Sequence, residues 1–102
     1  MTAPGRILVV DDDSAIRTVV REALRRRGHF VETAGSIAER ERAMQATLPD
    51  VLITDVVLPD GNGLDSVPDL VTACPGLPVI VLSAQNTLAT AVRANEQGAF
   101  EY

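Results

Sequence analysis

Four short segments rich in Val and Ile, each bounded by turn-forming residues, constrain the fold most strongly. They cover residues 6–10, 30–33, 51–54 and 78–82. Apolar runs of this length are typical of strands that are buried on both faces of a parallel sheet. The chain has two Phe, one Tyr and no Trp, so its core is built mainly from aliphatic side chains. Such a composition suits a compact α/β sheet.

The residues between the first two segments have the periodicity of a helix. Apolar residues recur there at the spacing of one helix face: Ile16, Val19, Val20, Ala23 and Leu24. Ser14 is placed to cap the start of this helix, and Gly28 is placed to close its end. The pattern therefore predicts a helix between the first and second strands.

A capping-box pattern opens a second helix after the second strand. Ser36 and Glu39 have the required spacing, and the helix is expected to run to about Thr47. Arg40 and Glu41 stand where its buried face should continue, so its apolar stripe is weak.

The remaining chain predicts two further helices and a fifth strand. A third helix is expected over residues 64–73, although Pro68 removes a backbone donor within it. A fourth is expected over residues 87–97, ending at Gly98. Phe100 and Tyr102 are expected in the opening of a fifth strand.

Strands that alternate with helices predict a doubly wound parallel sheet, with right-handed crossovers and helices on both faces. The chain of 102 residues has room for one such domain. Functional sites in sheets of this kind lie at the carboxyl ends of the strands. The residues that follow the strands are therefore the candidates for function.

Acidic residues follow two strands that should lie side by side. Asp11, Asp12 and Asp13 come after the first strand, and Asp55 comes after the third. Ser83 follows the fourth strand. Aspartates after strands also serve as turn residues and helix caps, and Asp13 is expected to be one. Clustered carboxylates raise one another's pKa unless a cation lies between them, and oxygen ligands favour Mg²⁺.

Composition excludes several other functions. The formal net charge is −5, the wrong sign for a direct nucleic-acid ligand. The apolar runs are too short to span a bilayer, and no secretory leader is evident, so no membrane association is expected. A single cysteine, Cys74, allows no intramolecular disulfide. A reduced, cytoplasmic location is therefore expected.

Four sequence blocks, taken in order, resemble the receiver domains of bacterial two-component response regulators, the CheY-like family. The resemblance spans residues 1–102, the whole chain. The blocks are residues 9–12 (VVDD), residues 49–55 (PDVLITD) with Leu58-Pro59 and Gly63, residues 77–84 (LPVIVLSA) and residues 98–102 (GAFEY). The last block, with Leu88, Ala91 and Val92 before it, is most similar to receivers of NtrC-type nitrogen regulators. The family implies the flavodoxin-like strand order 2-1-3-4-5.

The resemblance implies a phosphoacceptor domain for transcription regulation rather than an enzyme. Asp55 would accept a phosphoryl group from the phosphohistidine of a sensor histidine kinase, and small phosphodonors could serve in its place. Asp12 would bind Mg²⁺ directly and Asp11 through water, with Asp55 and the backbone carbonyl of Val57 as further ligands. Ser83 matches the switch hydroxyl of the family, and Tyr102 matches the aromatic residue that follows it inward.

Val57 and Gln85 match two positions that influence how long the acyl phosphate lasts. Val57 has no polar group to hold an attacking water, so slow self-dephosphorylation is expected. The resemblance also implies further partners. These are the ATPase and DNA-binding output domains of a longer parent protein, together with a homodimer.

The chain departs from the family pattern in two ways. Receivers have a lysine at the end of the fifth strand, and this chain contains nine Arg and no Lys. The resemblance therefore implies a domain truncated within the fifth strand, without the end of strand 5 and helix 5. Arg40 and Glu41 replace small or apolar residues that are common in the second helix of the family.

Two other interpretations stay open. Residues 9–14 (VVDDDS) also resemble the opening of haloacid-dehalogenase-type phosphatases, in which Asp11 would be the nucleophile and Asp13 the acid/base. Those enzymes need a lysine and a longer core. The other alternative is a pseudo-receiver that binds partners without phosphorylation.

Overall fold

The computed structural model describes residues 5–82 and 100–101 and contains a five-stranded parallel sheet. The elements follow in the order β1 (Arg6–Val10), α1 (Ser14–Arg25), β2 (Phe30–Ala34), α2 (Ile37–Ala46), β3 (Val51–Asp55), β4 (Val57–Leu58), β5 (Gly61–Asn62), α3 (Val67–Ala73), β6 (Val79–Leu82) and β7 (Phe100–Glu101). The predicted strands are confirmed to within a residue or two at each end. The predicted helix over residues 87–97 lies outside the described residues.

The sheet has the order β2-β1-β3-β6-β7. Each neighbouring pair of strands is parallel. Counting only these five strands along the chain, the order is 2-1-3-4-5, as predicted. Val10 pairs with Thr54 at the end of the β1–β3 ladder, so the residues that follow both strands emerge at one edge. This register brings the predicted site together.

Helices cover both faces of the sheet within the described residues. Leu8 and Val10 point to the face that carries α2 and α3, whereas Ile7 and Val9 point to the face that carries α1. The larger core contains these buried side chains: Leu8, Val10, Ala34, Met44, Leu52, Leu58, Leu64, Val67, Leu70, Val79 and Val81. The doubly wound architecture is thereby confirmed. Apart from Met44, the buried side chains of the larger hydrophobic core are aliphatic, because strands buried on two faces need apolar side chains on both.

Helix α1 is capped by Asp13. Its carboxylate accepts hydrogen bonds from the backbone N–H groups of Ala15 and Ile16, at 2.8 and 3.4 Å. The prediction that Ser14 is the cap was wrong, because Ser14 is already the first helical residue. The prediction that Asp13 is a cap is confirmed. Gly28 closes the turn after α1 with a φ of +89°, a conformation that favours glycine.

Helix α2 begins with the Ser36 half of the predicted capping box, whereas the Glu39 carboxylate bonds the residue before the cap. The Ser36 hydroxyl accepts a hydrogen bond from the Glu39 backbone N–H at 3.1 Å, and the Glu39 carboxylate accepts one from the Gly35 N–H. A second cap comes from the loop after β4. The Asp60 carboxylate accepts hydrogen bonds from the Ile37 and Ala38 N–H groups, at 2.8 and 2.9 Å.

Helix α3 begins at Val67 rather than at residue 64 as predicted. The preceding residues form turns, in which the Leu64 N–H donates to the Asn62 side chain at 2.8 Å and the Val67 N–H donates to the Leu64 carbonyl at 3.1 Å. Pro68 therefore lies in the first turn, where its missing N–H leaves no intrahelical bond unmade. Every helix in the described ranges is too short or too polar to cross a lipid bilayer.

Candidate functional site

Three carboxylates meet at the carboxyl edge of the sheet. Asp11 and Asp12 follow β1, and Asp55 is the last residue of the adjacent strand β3. One carboxylate oxygen from each lies within 4.8 Å of the others. Asp12 is exposed and Asp55 is half-buried, so the cluster is open to solvent on one side. The sequence prediction that these three side chains converge is confirmed by this geometry.

Asp11 forms the buried wall of the cluster, with only 4% of its surface exposed. Its Oδ1 accepts a hydrogen bond from the Asp13 N–H at 2.9 Å, and its backbone carbonyl accepts one from the Arg17 guanidinium at 2.6 Å. Burial raises the pKa of Asp11, and the negative charges of Asp12 and Asp13 raise it further. The carboxylate is thus held in place at a cost in charge repulsion.

Asp55 lies at the open side of the same cluster. Its Oδ1 accepts a hydrogen bond from the Val56 N–H at 2.7 Å. Burial raises the pKa of Asp55, the Val56 hydrogen bond opposes that shift, and the charges of Asp11 and Asp12 add to it. One carboxylate oxygen is therefore oriented by the backbone within a strongly negative environment.

The donor set fits a hard divalent cation. Carboxylate oxygens from Asp11, Asp12 and Asp55 lie close enough to share one ion, and burial together with the neighbouring carboxylates raises the pKa of Asp11 and of Asp55. Mg²⁺ takes oxygen ligands and commonly uses one or two carboxylates while it keeps water and phosphate in its remaining positions. The exposed side of the cluster leaves room for both.

The loop after β5 packs directly against the backbone of Asp55. The Gly63 N–H donates a hydrogen bond to the Val56 carbonyl at 2.6 Å. A Cβ atom on Gly63 would lie 2.1 Å from the Asp55 backbone oxygen, so only glycine allows this approach. Gly63 lies in one of the four family-like sequence blocks, but no local sequence pattern predicts its contact with Asp55.

The other predicted site residues are placed less completely. Val57, at the start of β4, has a side chain that is 60% exposed, as expected of a position flanking an open site. Its backbone carbonyl stays a predicted ligand. Ser83, Gln85 and Tyr102 lie outside the described residues, so their predicted roles stay predictions.

The fold and the site together define a class of protein: a doubly wound parallel α/β domain with a cluster of carboxylates at the carboxyl ends of its central strands. Residues 7–102 match the response regulator receiver domain. The chain belongs to this family, and the predicted family is confirmed.

Several curated relatives carry the name NtrC. The chain is 55% identical over 96 residues to the DNA-binding transcriptional regulator NtrC of Azospirillum brasilense, covering 94% of this chain and 20% of that protein. It is 51% identical over 98 residues to NtrC of a Bradyrhizobium strain, covering 96% of this chain and 20% of that protein. The chain therefore spans about a fifth of the length of these relatives. The predicted similarity to NtrC-type receivers is confirmed.

Several solved structures have a fold similar to that of the chain. NtrX from Brucella abortus superimposes with a TM-score of 0.89 at 31% identity, covering 97% of this chain and 22% of that one. The beryllofluoride-activated NtrC4 receiver domain dimer has a TM-score of 0.85 at 30% identity, covering 94% of this chain and 82% of that one. A Burkholderia pseudomallei response regulator with a phosphorylated aspartic acid and a calcium ion has a TM-score of 0.87 at 29% identity, covering 95% and 57%.

These matches bear on the haloacid-dehalogenase alternative. That interpretation needs Asp13 as an acid/base, but the Asp13 carboxylate caps α1. The family match and the position of Asp55 both favour a receiver, which is a signalling domain.

Proposed function

We propose that the chain is the phosphoacceptor receiver domain of an NtrC-type response regulator, with Asp55 as the phosphorylated residue. The observation that carries this proposal is the meeting of Asp11, Asp12 and Asp55 within 4.8 Å at the edge of a receiver fold. Asp55 is the member of the cluster that combines partial burial with a carboxylate oriented by a backbone hydrogen bond. The donor would be the phosphohistidine of a sensor histidine kinase.

In the proposed reaction, a carboxylate oxygen of Asp55 attacks the phosphorus atom. The P–N bond of the phosphohistidine breaks, and the leaving imidazole takes up a proton. The product is an acyl phosphate on Asp55. The hydrogen bond from the Val56 N–H fixes the rotation of the carboxylate, so that attack starts from a restricted geometry.

Asp11, Asp12, Asp55 and the Val57 carbonyl would hold Mg²⁺. When bound, Mg²⁺ offsets the negative charge that builds up on the oxygens of the phosphoryl group. The Asp13 N–H donates a hydrogen bond that orients the Asp11 carboxylate, and the Arg17 guanidinium donates one to the Asp11 backbone carbonyl. The protein therefore supplies acidic ligands in fixed positions, with one side of the cluster open to solvent.

We further propose that phosphorylation changes the surface formed after β6, through the Ser83 hydroxyl and the Tyr102 ring. Val57 and Gln85 would flank the acyl phosphate and set its lifetime. The curated relatives are about five times as long as this chain, which supports ATPase and DNA-binding output domains in a longer protein. The NtrC4 receiver dimer supports a homodimer as one working state. A cytoplasmic location follows from this role.

Incubation with acetyl phosphate and Mg²⁺, followed by mass spectrometry of the intact chain and its peptides, tests the proposal. We expect one added phosphoryl group on Asp55, and none on the Asp55→Asn variant. Asp13→Asn is the matched control, because Asn still caps a helix and Asp13 lies next to the cluster. It should be phosphorylated normally. A folded chain, and a longer protein containing it, that both stay unmodified at Asp55 would overturn the proposal in favour of a phosphorylation-independent binding module.

A further inference from the structure

Arg40 is a fully buried arginine on α2. Its side chain has 0% exposure, and it lies on the face of the helix that packs against the core. The sequence pattern predicts an apolar residue at this point of the stripe. A charge in a protein interior is costly unless it is paired and hydrogen-bonded. The contacts of the Arg40 guanidinium therefore indicate its role.

The Arg40 guanidinium bridges α2 to the loop before α3. Its Nη1 donates to the Gly63 carbonyl at 3.4 Å, and its Nη2 donates to the Ser66 hydroxyl. Nη2 also donates to the Glu41 carboxylate at 3.1 Å, which supplies the nearest negative charge. The Arg40 Nε has no hydrogen-bond partner in the part of the chain that the structure describes. The donors that are satisfied therefore point mainly at residues 63–66.

That loop is the one that packs on the phosphoacceptor. The Gly63 N–H holds the Val56 carbonyl, and the Gly63 Cα lies against the Asp55 carbonyl. A continuous path of contacts thus runs from Arg40 through Gly63 to the Asp55–Val56 peptide. Asp60, in the turn between β4 and β5, caps the start of α2, so α2 contacts the 60–66 segment at two points.

We propose that Arg40 is a positioning residue for the Asp55 site, an inference that rests on the function proposed above. By fixing the Gly63 carbonyl and Ser66, Arg40 holds the loop against β3 and keeps the 55–57 backbone in the geometry that the cation and the phosphoryl group require. Arginine suits this role because its planar guanidinium reaches two acceptors in fixed directions, whereas lysine is a point charge on a flexible stem. Core filling alone requires only an apolar side chain.

The test compares four variants of the chain. Arg40→Met keeps most of the volume and removes every donor, Arg40→Lys keeps the charge, and Ser66→Ala removes one acceptor. Arg42→Met is the matched control, because Arg42 is an exposed arginine on the same helix. Mg²⁺ affinity is measured by calorimetry, and the Asp55 and Val56 amide resonances are followed by NMR, both well below the melting temperature.

We expect Arg40→Met to weaken Mg²⁺ binding by about tenfold, the lower end of the effect seen for groups that orient metal ligands. Arg40→Lys should recover part of this loss, Ser66→Ala should show a smaller loss, and Arg42→Met should show none. The Asp55 and Val56 amide resonances should move in Arg40→Met and stay in place in Arg42→Met. The rate of phosphorylation by acetyl phosphate at limiting Mg²⁺ should fall in parallel, with recovery at high Mg²⁺.

A folded Arg40→Met chain with normal Mg²⁺ affinity and unmoved Asp55 and Val56 amides would overturn the proposal and leave Arg40 as core filling. If Arg40→Met does not fold, the test relies on Arg40→Lys and Ser66→Ala. Normal Mg²⁺ affinity and unmoved Asp55 and Val56 amide resonances in both of these variants would also overturn the proposal. Mg²⁺ affinity and amide shifts do not require phosphoryl transfer. Failure of the proposed function, seen as no phosphorylation of Asp55 in either the unsubstituted chain or a longer protein containing it, is therefore distinguishable from failure of this inference.

Discussion

Gly63 and Asp55 touch through their backbones, at a distance that excludes any side chain on residue 63. A Cβ atom at this position would lie 2.1 Å from the Asp55 carbonyl oxygen and 3.1 Å from the Thr54 hydroxyl. The Gly63 N–H also donates to the Val56 carbonyl at 2.6 Å. The end of β3 and the loop after β5 are thus packed into one unit, with the phosphoacceptor candidate at its surface.

Gly63→Ala should therefore disturb both the fold and the site. The added methyl group meets a backbone atom that cannot rotate away, and overpacking of this kind costs about 1–3 kcal/mol or more. Urea unfolding should show the loss of free energy, and Mg²⁺ affinity should fall in the folded fraction. Gly5→Ala is the control, because a Cβ there would meet its nearest neighbour at an ordinary 3.7 Å. Equal stabilities for the two variants would contradict this account of Gly63.

Local sequence patterns predicted most of the fold and the acidic part of the site. Val- and Ile-rich segments locate strands because strands buried on two faces need apolar residues at every position. The site followed from topology, since Asp11 and Asp55 end neighbouring parallel strands. These inferences require only the order of strands and helices along the chain and the rule that sites in parallel α/β sheets lie at the carboxyl ends of the strands.

The failures concern contacts between residues distant in sequence or choices between adjacent caps. Periodicity places residue 40 on the buried face of α2 and predicts an apolar side chain there, yet Gly63 and Ser66 supply acceptors from another loop and allow the Arg40 guanidinium to be buried. The cap that Asp60 provides to α2 is equally invisible to a local pattern. Asp13 and Ser14 are both good helix caps, and the choice depends on where β1 ends and the chain turns.

The raised pKa values of Asp11 and Asp55 predict how Mg²⁺ stabilises the chain at different pH values. A carboxyl group whose folded-state pKa is raised destabilises the metal-free fold once pH rises through the folded-state value. Bound Mg²⁺ offsets the two causes of this destabilisation, which are the burial of the charged carboxylates and, to a smaller extent, the repulsion from neighbouring carboxylates. At a concentration a hundred times its dissociation constant, a ligand adds about 2.7 kcal/mol. For a domain of this size, the melting temperature at pH 7 should rise by roughly 10 °C.

The stabilisation by Mg²⁺ should shrink as pH falls towards 4, because protons then compete for the same oxygens. Asp55→Asn provides the check on the mechanism. It should raise the melting temperature of the metal-free chain at pH 7, where it removes repulsion, and have little effect near pH 4. Differential scanning calorimetry of the unsubstituted and Asp55→Asn chains, with and without Mg²⁺, gives four melting temperatures at each pH. A metal-free Asp55→Asn chain that melts below the unsubstituted chain at pH 7 would refute the proposed repulsion.

Asp60 should contribute to stability with the opposite pH dependence. Hydrogen bonds from the Ile37 and Ala38 N–H groups lower the pKa of Asp60. Its contribution is therefore present above the unfolded-state pKa, near the ordinary value of 3.8, and is lost as pH falls through the lower folded-state value. Asp60→Ala should lower the melting temperature at pH 7 and have less effect at strongly acidic pH.

Asp60→Asn separates the charge of Asp60 from its hydrogen bonds. The carboxamide keeps the size and one acceptor oxygen, so it should retain part of the cap but none of the pH dependence that belongs to this group. Thermal melts of the three chains from pH 2 to pH 7 give the comparison. A difference between the unsubstituted and Asp60→Ala chains that does not change with pH would rule out the charge as the cause.

Val57 offers a direct test of the proposal that this position sets the lifetime of an acyl phosphate on Asp55. Its side chain is 60% exposed beside Asp55 and has no group that can hold a water molecule. Val57→Asn places a donor and an acceptor there, while the backbone carbonyl proposed as a ligand is retained. Orienting the attacking water should hasten loss of phosphate by roughly ten- to a hundredfold. Val57→Leu, which adds no polar group, should match the unsubstituted chain.

The measurement is release of inorganic phosphate from purified phosphorylated chain after the phosphodonor is removed. Phosphorylation and Mg²⁺ affinity should be similar in all three chains, because the change lies in the side chain of an exposed residue and leaves Asp11, Asp12 and Asp55 in place. The comparison therefore isolates the hydrolysis step. If Val57→Asn and Val57→Leu lose phosphate at the same rate, access of water is not controlled at this position, and Gln85 becomes the residue to substitute next.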